Sequence, residues 1–137
     1  MLMKKTLVTV VSVLIGIFAN ASTVELSNSR SNKLGKLMRS SGVMAINDFV
    51  STSLFIADDI SCTAERAAGV SCTMKTRDAG IIELTGSAAS TWYHMLAACG
   101  AKEQVNGRTS TIDVPRVLCT SFIVLTNDDQ FYCSIHK

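Results

Sequence analysis

The stretch Gly86–Gly100, reading GSAASTWYHMLAACG, carries the clearest hydrophobic period in the chain. At 100° per residue, Ala88, Ala89, Trp92, Tyr93, Met95, Leu96 and Cys99 share one side, and Ser90, Thr91, His94 and Ala97 the other. The spacing predicts an amphipathic helix. Ser87 is placed to cap its N-terminus through the hydroxyl, and Gly100 can end it in the left-handed conformation. So wide an apolar stripe needs a flat apolar partner, and the flanking segments read as strands. The expected fold class is α+β, a small antiparallel sheet with this central helix packed on it.

Upstream, Leu34, Leu37 and Met38 make one helical turn, broken at Ser40-Ser41-Gly42. Val43, Ile46, Phe49, Val50 and Leu54 recur at spacings of three and four, which predicts an N-terminal amphipathic helix over 43–54. Val50, Thr52 and Phe55 are also good strand formers, so the period competes with propensity there. Ser22–Asn32 is mostly polar and reads as a flexible leader, or as an arm ordered only by docking. A single domain is expected over 33–137.

Ile60–Thr63 and Val70–Lys75 flank a polar loop containing Gly69, a β-hairpin pattern. Asp78-Ala79-Gly80 is a turn, and Ile81–Leu84 a short strand leading into the helix. Beyond the helix, Asn106-Gly107 marks a turn. Pro115 lacks an amide donor and is expected at a strand start or an edge. Val117–Thr126 reads as a strand, Asn127–Gln130 as a turn, and the final FYCSIHK as a strand.

Two segments resemble each other. One opens with Cys62-Thr63 and closes with Ser71-Cys72-Thr73-Met74-Lys75; the other opens with Cys119-Thr120 and closes with Tyr132-Cys133-Ser134-Ile135-His136-Lys137. A strand has a period of two, so lengthening each strand of a hairpin by two residues keeps every side chain on its face. An internal duplication, with one hairpin on each side of the helix, would give this pattern.

Residues 1–21 change the reading of the whole chain. Lys4 and Lys5 precede an uncharged, mostly apolar run, Leu7–Ala19, and Ala19-Asn20-Ala21 has the small-x-small form of a signal peptidase site. The run is about 13 residues, short of the roughly 20 that span a bilayer. Cleavage after Ala21 leaves 116 of the 137 residues. It also removes two of 13 basic residues, so 11 face 11 acidic ones. A near-neutral chain offers no concentrated basic surface for nucleic acid. Contact with the membrane is expected only through the signal peptide.

Export permits disulfides. Five cysteines with one left unpaired allow 15 arrangements. Pairing Cys62 with Cys72 and Cys119 with Cys133 joins opposed positions of each hairpin, within disulfide range. A bridge between the segments, such as Cys62–Cys119, stays open. Cys99 is then the odd thiol: a small buried hydrophobe, a nucleophile, or an intermolecular link. A thiolate is disfavoured at a helix C-terminus.

Recognised chemistry is sparse. HExxH, CxxC, GxSxG and Gly-rich phosphate loops are missing from the sequence, and no cofactor is expected. Asp58-Asp59 and Asp128-Asp129 lack the alternating ligands of a calcium loop. Glu65, Glu83 and Asp113 are available as carboxylates, with nothing in the pattern to select them. The expected function is an exported, periplasmic or secreted binding module, inhibitor- or adaptor-like, for another protein of the envelope or extracellular space. Its contacts are expected at loop tips: Glu65 and Arg66, Arg108, Asp128 and Asp129, with Tyr132 beside the last. The alternatives are a small envelope enzyme with a carboxylate or Cys99-based site, and a self-associating structural component.

Overall fold

The computed structural model describes residues 23–49, 52–123 and 129–137. The expected signal peptide, residues 1–21, and Asp128 lie outside them. The chain runs β1 (Thr23–Glu25), α1 (Asn28–Ser40), β2 (Ile46–Phe49), β3 (Thr52–Glu65), β4 (Gly69–Lys75), β5 (Ile81–Thr85), α2 (Gly86–Ala98), β6 (Glu103–Asn106), β7 (Thr109–Ile123) and β8 (Asp129–His136). The strands form one antiparallel sheet in the order β1-β8-β7-β3-β4-β5, with β2 beside β3 and β6 beside β7. Both helices lie on one face. This is an α+β fold with two disulfides, Cys62–Cys72 and Cys119–Cys133, each joining the strands of one hairpin.

The internal repeat reaches far beyond the cysteine segments. β1-α1-β2-β3-β4 and β5-α2-β6-β7-β8 are the same succession of elements. The helices have 13 residues each and begin at Asn28 and Gly86. Each ends in a Schellman motif. Gly42 (φ 99°) and Gly100 (φ 93°) take the left-handed position that favours glycine. Gly42 N donates to Arg39 O and Val43 N to Met38 O; Gly100 N donates to Ala97 O and Ala101 N to Leu96 O.

The pairing of β3 with β7 has the same symmetry. Cys62↔Ile112 exchanges with Cys119↔Phe55, and Ile60↔Val114 exchanges with Val117↔Ala57. The two halves are therefore related by a pseudo-twofold axis through the middle of the β3–β7 ladder. They also trade arms across it. β1 pairs with β8 of the other half and α1 packs mainly on β8. β5 pairs with β4 of the other half, and α2 packs mainly on β4.

The core lies between the helices and the sheet. Leu34 and Met38 of α1, Trp92 and Leu96 of α2, and Phe55, Ala57, Ile60, Cys62, Ile112, Val114, Val117 and Cys119 of the long strands are all buried. Trp92 Nε1 donates to Ser41 Oγ at 2.8 Å, so the one polar atom of the largest core side chain is satisfied.

Several expectations change. The described residues of 43–54 are not helical. Ile46–Phe49 and the start of β3 form an antiparallel pair, Ile46↔Leu54 and Phe49↔Thr52. Strand propensity and an available ladder outweigh the three-and-four spacing. Residues 23–32, expected within a flexible leader, carry β1 and the start of α1. Thr23–Glu25 completes the sheet beside β8, and Ser27 caps α1 by accepting from Arg30 N. β1 and α1 thus belong to the same sheet and core as the elements after residue 33. The N-cap of α2 is Thr85 and not Ser87, with no side-chain capping bond. The sheet carries two helices, α1 and α2, in corresponding places of the two halves. Pro115 lies inside the central strand β7, where its neighbours skip it: β6 pairs only as far as Ile112 and β8 starts at Arg116.

Candidate binding face

The face of the sheet away from the helices has no layer upon it among the described elements. Its geometry follows from a break in alternation. In β3 the core positions are Phe55 and Ala57, then Ile60 and Cys62; in β7 they are Ile112 and Val114, then Val117 and Cys119. Each strand thus inserts two consecutive outward residues, Asp58-Asp59 and Pro115-Arg116, at the pseudo-twofold axis. The β3 ladders are irregular there, and Asp59 has φ 47°, the left-handed region that non-glycine residues seldom adopt. Such bulges re-aim side chains, and proline tolerates a bulge because no ladder bond needs its nitrogen.

The result is a depression of about 440 Å³ lined by Asp58, Asp59, Lys75, Pro115, Arg116 and His136. Arg116 Nε donates to Asp58 Oδ1 at 2.6 Å. That hydrogen bond, reinforced by the carboxylate charge, raises the guanidinium pKa. Lys75 Nζ lies 3.4 Å from Asp59 Oδ2, with both side chains about two-thirds exposed, so this pair is worth little. The His136 ring nitrogens are 3.4 Å from Thr23 Oγ1 of the incoming arm. Among the described residues no group of three or more His, Cys, Asp or Glu is arranged to hold a metal ion.

The two halves differ beside this centre. Toward the second disulfide the outward positions are Leu54, Ile56, Leu118, Phe122 and Tyr132, of which Ile56 is buried, Leu54 and Leu118 are half-buried, and Phe122 and Tyr132 are exposed. The Phe122 and Tyr132 rings meet edge to face at 5.4 Å and are 39% and 53% exposed. At the matching positions of the other half stand Thr111, Asp113, Ser61, Glu65 and Ser71. The core positions stay apolar in both halves, whereas one outward surface is apolar and aromatic and the other hydroxyl-rich and acidic.

The loop-tip residues do not form one site. Glu65, Arg66 and Arg108 do come together, because the β3–β4 and β6–β7 turns lie side by side. They line a second depression of about 420 Å³ with Ala64, Val105, Gly107 and Ser110. Tyr132 pairs with Thr120 at the far end of the sheet, about 40 Å away at roughly 3.3 Å per residue. Asp129 opens β8 opposite Ile123 and so is not part of a turn. Asp128 lies outside the described residues.

Cys99 is buried at the C-cap of α2. Burial pushes its thiol pKa up, against smaller opposing effects of Arg30 and Lys137, so the thiol stays protonated at neutral pH. Sequence reasoning missed Lys75, Arg116, His136, Phe122 and the apolar strip. The phase shift between Ala57 and Ile60, repeated between Val114 and Val117, is the signal that could have found the centre. Among the described residues no helix is long and apolar enough to cross a membrane. No protein-family model matches the chain, and no curated protein or solved structure matches it either.

Proposed function

We propose that this is an exported, disulfide-stabilised binding module, periplasmic or secreted, that recognises another protein through the helix-free face of its sheet. One observation carries the reading. Two halves with the same elements and the same kind of core present different open faces, and one of them is apolar and aromatic beside a charged depression. Core packing accounts for the shared positions and leaves the exposed Phe122 and Tyr132, with the half-buried Leu54 and Leu118 on the same face, unexplained. Clustered aromatic and apolar groups rimmed by charge are the usual anatomy of a recognition patch. Two disulfides and a sheet backing keep this surface preorganised, which lowers the ordering cost of binding. The disulfides fit an oxidising compartment. Cleavage after Ala21 leaves every described element intact, since β1 begins at Thr23.

The test uses the oxidised mature chain, immobilised and presented with envelope and secreted proteins of its source. The expected outcome is one stoichiometric partner. Its affinity falls about 30-fold with Tyr132→Ala, as for a buried aromatic hot spot of about 2 kcal/mol. Val105→Ser, at the opposite tip, leaves it unchanged. Binding that survives Tyr132→Ala and Phe122→Ala but is lost with Arg66→Ala or Arg108→Ala would move the contact to the loop tips and overturn the assignment of the face.

A further inference from the structure

The traded arms make a second copy of the chain a partner that fits. The arm β1-α1, residues 23–40, rests on β8 and β7 and touches its own half chiefly at β3. Its seat is built for it. Ser31 Oγ accepts from Cys133 N at 3.0 Å and Asn32 Oδ1 from Phe131 N at 2.8 Å. Leu26 N donates to Cys133 O at 3.0 Å. Phe131 packs directly against Gly35, where there is no Cβ to hold it off. These bonds satisfy β8 amides that would otherwise form an open sheet edge.

The two arms differ in how they are held. The β5-α2 arm is tied at both ends, by residues 76–80 before it and 99–102 after it. The β1-α1 arm joins the rest of the described fold only through residues 41–45, a stretch containing Gly42 and no strand. We propose that two copies exchange this arm, each seating residues 23–40 on β8 of the other.

The energetics follow from the topology. Every arm–β8 bond is re-formed in the exchanged dimer, so the seat itself does not discriminate between the two states. The balance is set by the 41–45 hinge and by concentration. A short tether gives its own arm an effective concentration on the order of millimolar. The closed monomer therefore dominates in dilute solution. The exchanged dimer appears when chains are concentrated to that level or regain structure together. Reversal requires both arms to lift off, so a dimer once formed outlasts dilution.

Glu25 and Ser134 are paired across β1 and β8. The double variant Glu25→Cys/Ser134→Cys, in a Cys99→Ser background, reports whose arm occupies whose seat. The protein is treated with mild denaturant that leaves the two native disulfides intact. It is returned to native buffer at about 1 µM and at about 1 mM, oxidised, and run on a non-reducing gel. The expected result is a monomer with the new bridge inside one chain at low concentration. At high concentration at least about a tenth should be dimer, in which peptide mapping finds the thiol introduced in β1 of one chain bridged to the thiol introduced in β8 of the other. Bridged monomer alone at both concentrations overturns the proposal. Where the introduced thiols fail to bridge, light scattering on the parent chain decides. A twofold-mass species that persists for hours after dilution from about 1 mM supports exchange, and a monomer throughout overturns it.

Discussion

Gly35→Ala ought to stabilise a helix and here should do the reverse. In an unobstructed helix interior, alanine gains about 1 kcal/mol over glycine. Gly35 lies in the buried stripe of α1, one residue after Leu34, and its backbone meets the ring of Phe131. A Cβ there would fall within the envelope of the Phe131 Cγ and Cδ1 atoms and 2.7 Å from its Cβ. The ring has little room to yield. It is 1% exposed, 6.0 Å from the Phe55 ring and 5.0 Å from the Arg39 guanidinium. Its own amide is held by Asn32. Overpacking costs about 1–3 kcal/mol, and so confined a site belongs at the upper end. Subtracting the helix gain leaves a net loss of about 2 kcal/mol. At roughly 4 °C per kcal/mol for a chain of this size, the melting temperature should drop by about 8 °C. Circular dichroism melts of Gly35→Ala beside Lys36→Ala, an exposed control, measure it. The double variant with Phe131→Leu should lose less than the two single losses together, by roughly 1–2 kcal/mol. A Gly35→Ala protein that melts at or above the parent temperature would refute the close-packing argument.

Two further outcomes follow from the same structure. Replacing Cys119 and Cys133 together by serine, which leaves no new free thiol, should lower stability by about 2–5 kcal/mol in denaturant titration. The Cys62/Cys72 double variant should fall in the same range, because the bridged residues are 10 apart there and 14 apart in the other; a loss below about 1 kcal/mol for either would show that the unfolded chain gains little freedom. Burial raises the Cys99 thiol above its ordinary 9.0 and the Tyr93 phenol above 10.0. With both folded values raised, the stability they contribute is full below the unfolded value of 9.0. It is lost as pH rises through the window in which the unfolded groups ionise and the folded ones do not. Cys99→Ala should remove the lower part of that decline, and an unaltered alkaline profile would show that the thiol is not desolvated.

The short-range features are legible in the sequence and the long-range ones are not. The α2 stripe, the turn at Asn106-Gly107 and the two cysteine hairpins each announce themselves over a short stretch, because helix period, turn chemistry and cross-strand pairing are local. The segment 43–54 misleads for the same reason. Val43, Ile46, Phe49, Val50 and Leu54 satisfy a helical spacing, and only the ladder to β3, formed after the chain reverses, decides for strand. The segment 23–32 carries few apolar residues, since it meets β8 through strand pairing and through the side chains of Ser31 and Asn32. The duplication shows in the sequence only at the cysteines. Elsewhere matching positions have diverged in size: Gly35 of the first half corresponds to Tyr93 of the second, and Phe131 of the second half to Val70 of the first. The candidate face is hidden by its composition, because Asp58-Asp59 reads as a solvated pair until Pro115-Arg116 is laid opposite it.

The exchange of arms also orders events in time. Ser31 and Cys133, which share a hydrogen bond, stand 102 residues apart, so the earliest described helix waits for the latest described strand. While the chain is being made, α1 has nothing to lie on, and a helix of 13 residues is marginal alone. The first hairpin meanwhile shows β4 without β5 and a half-core without Trp92. Neither half can close until nearly the whole chain is present, and such distant pairing is slow. A nascent chain of this design stays open along most of its length. That postpones the pairing of Cys119 with Cys133 until the final strand has been made.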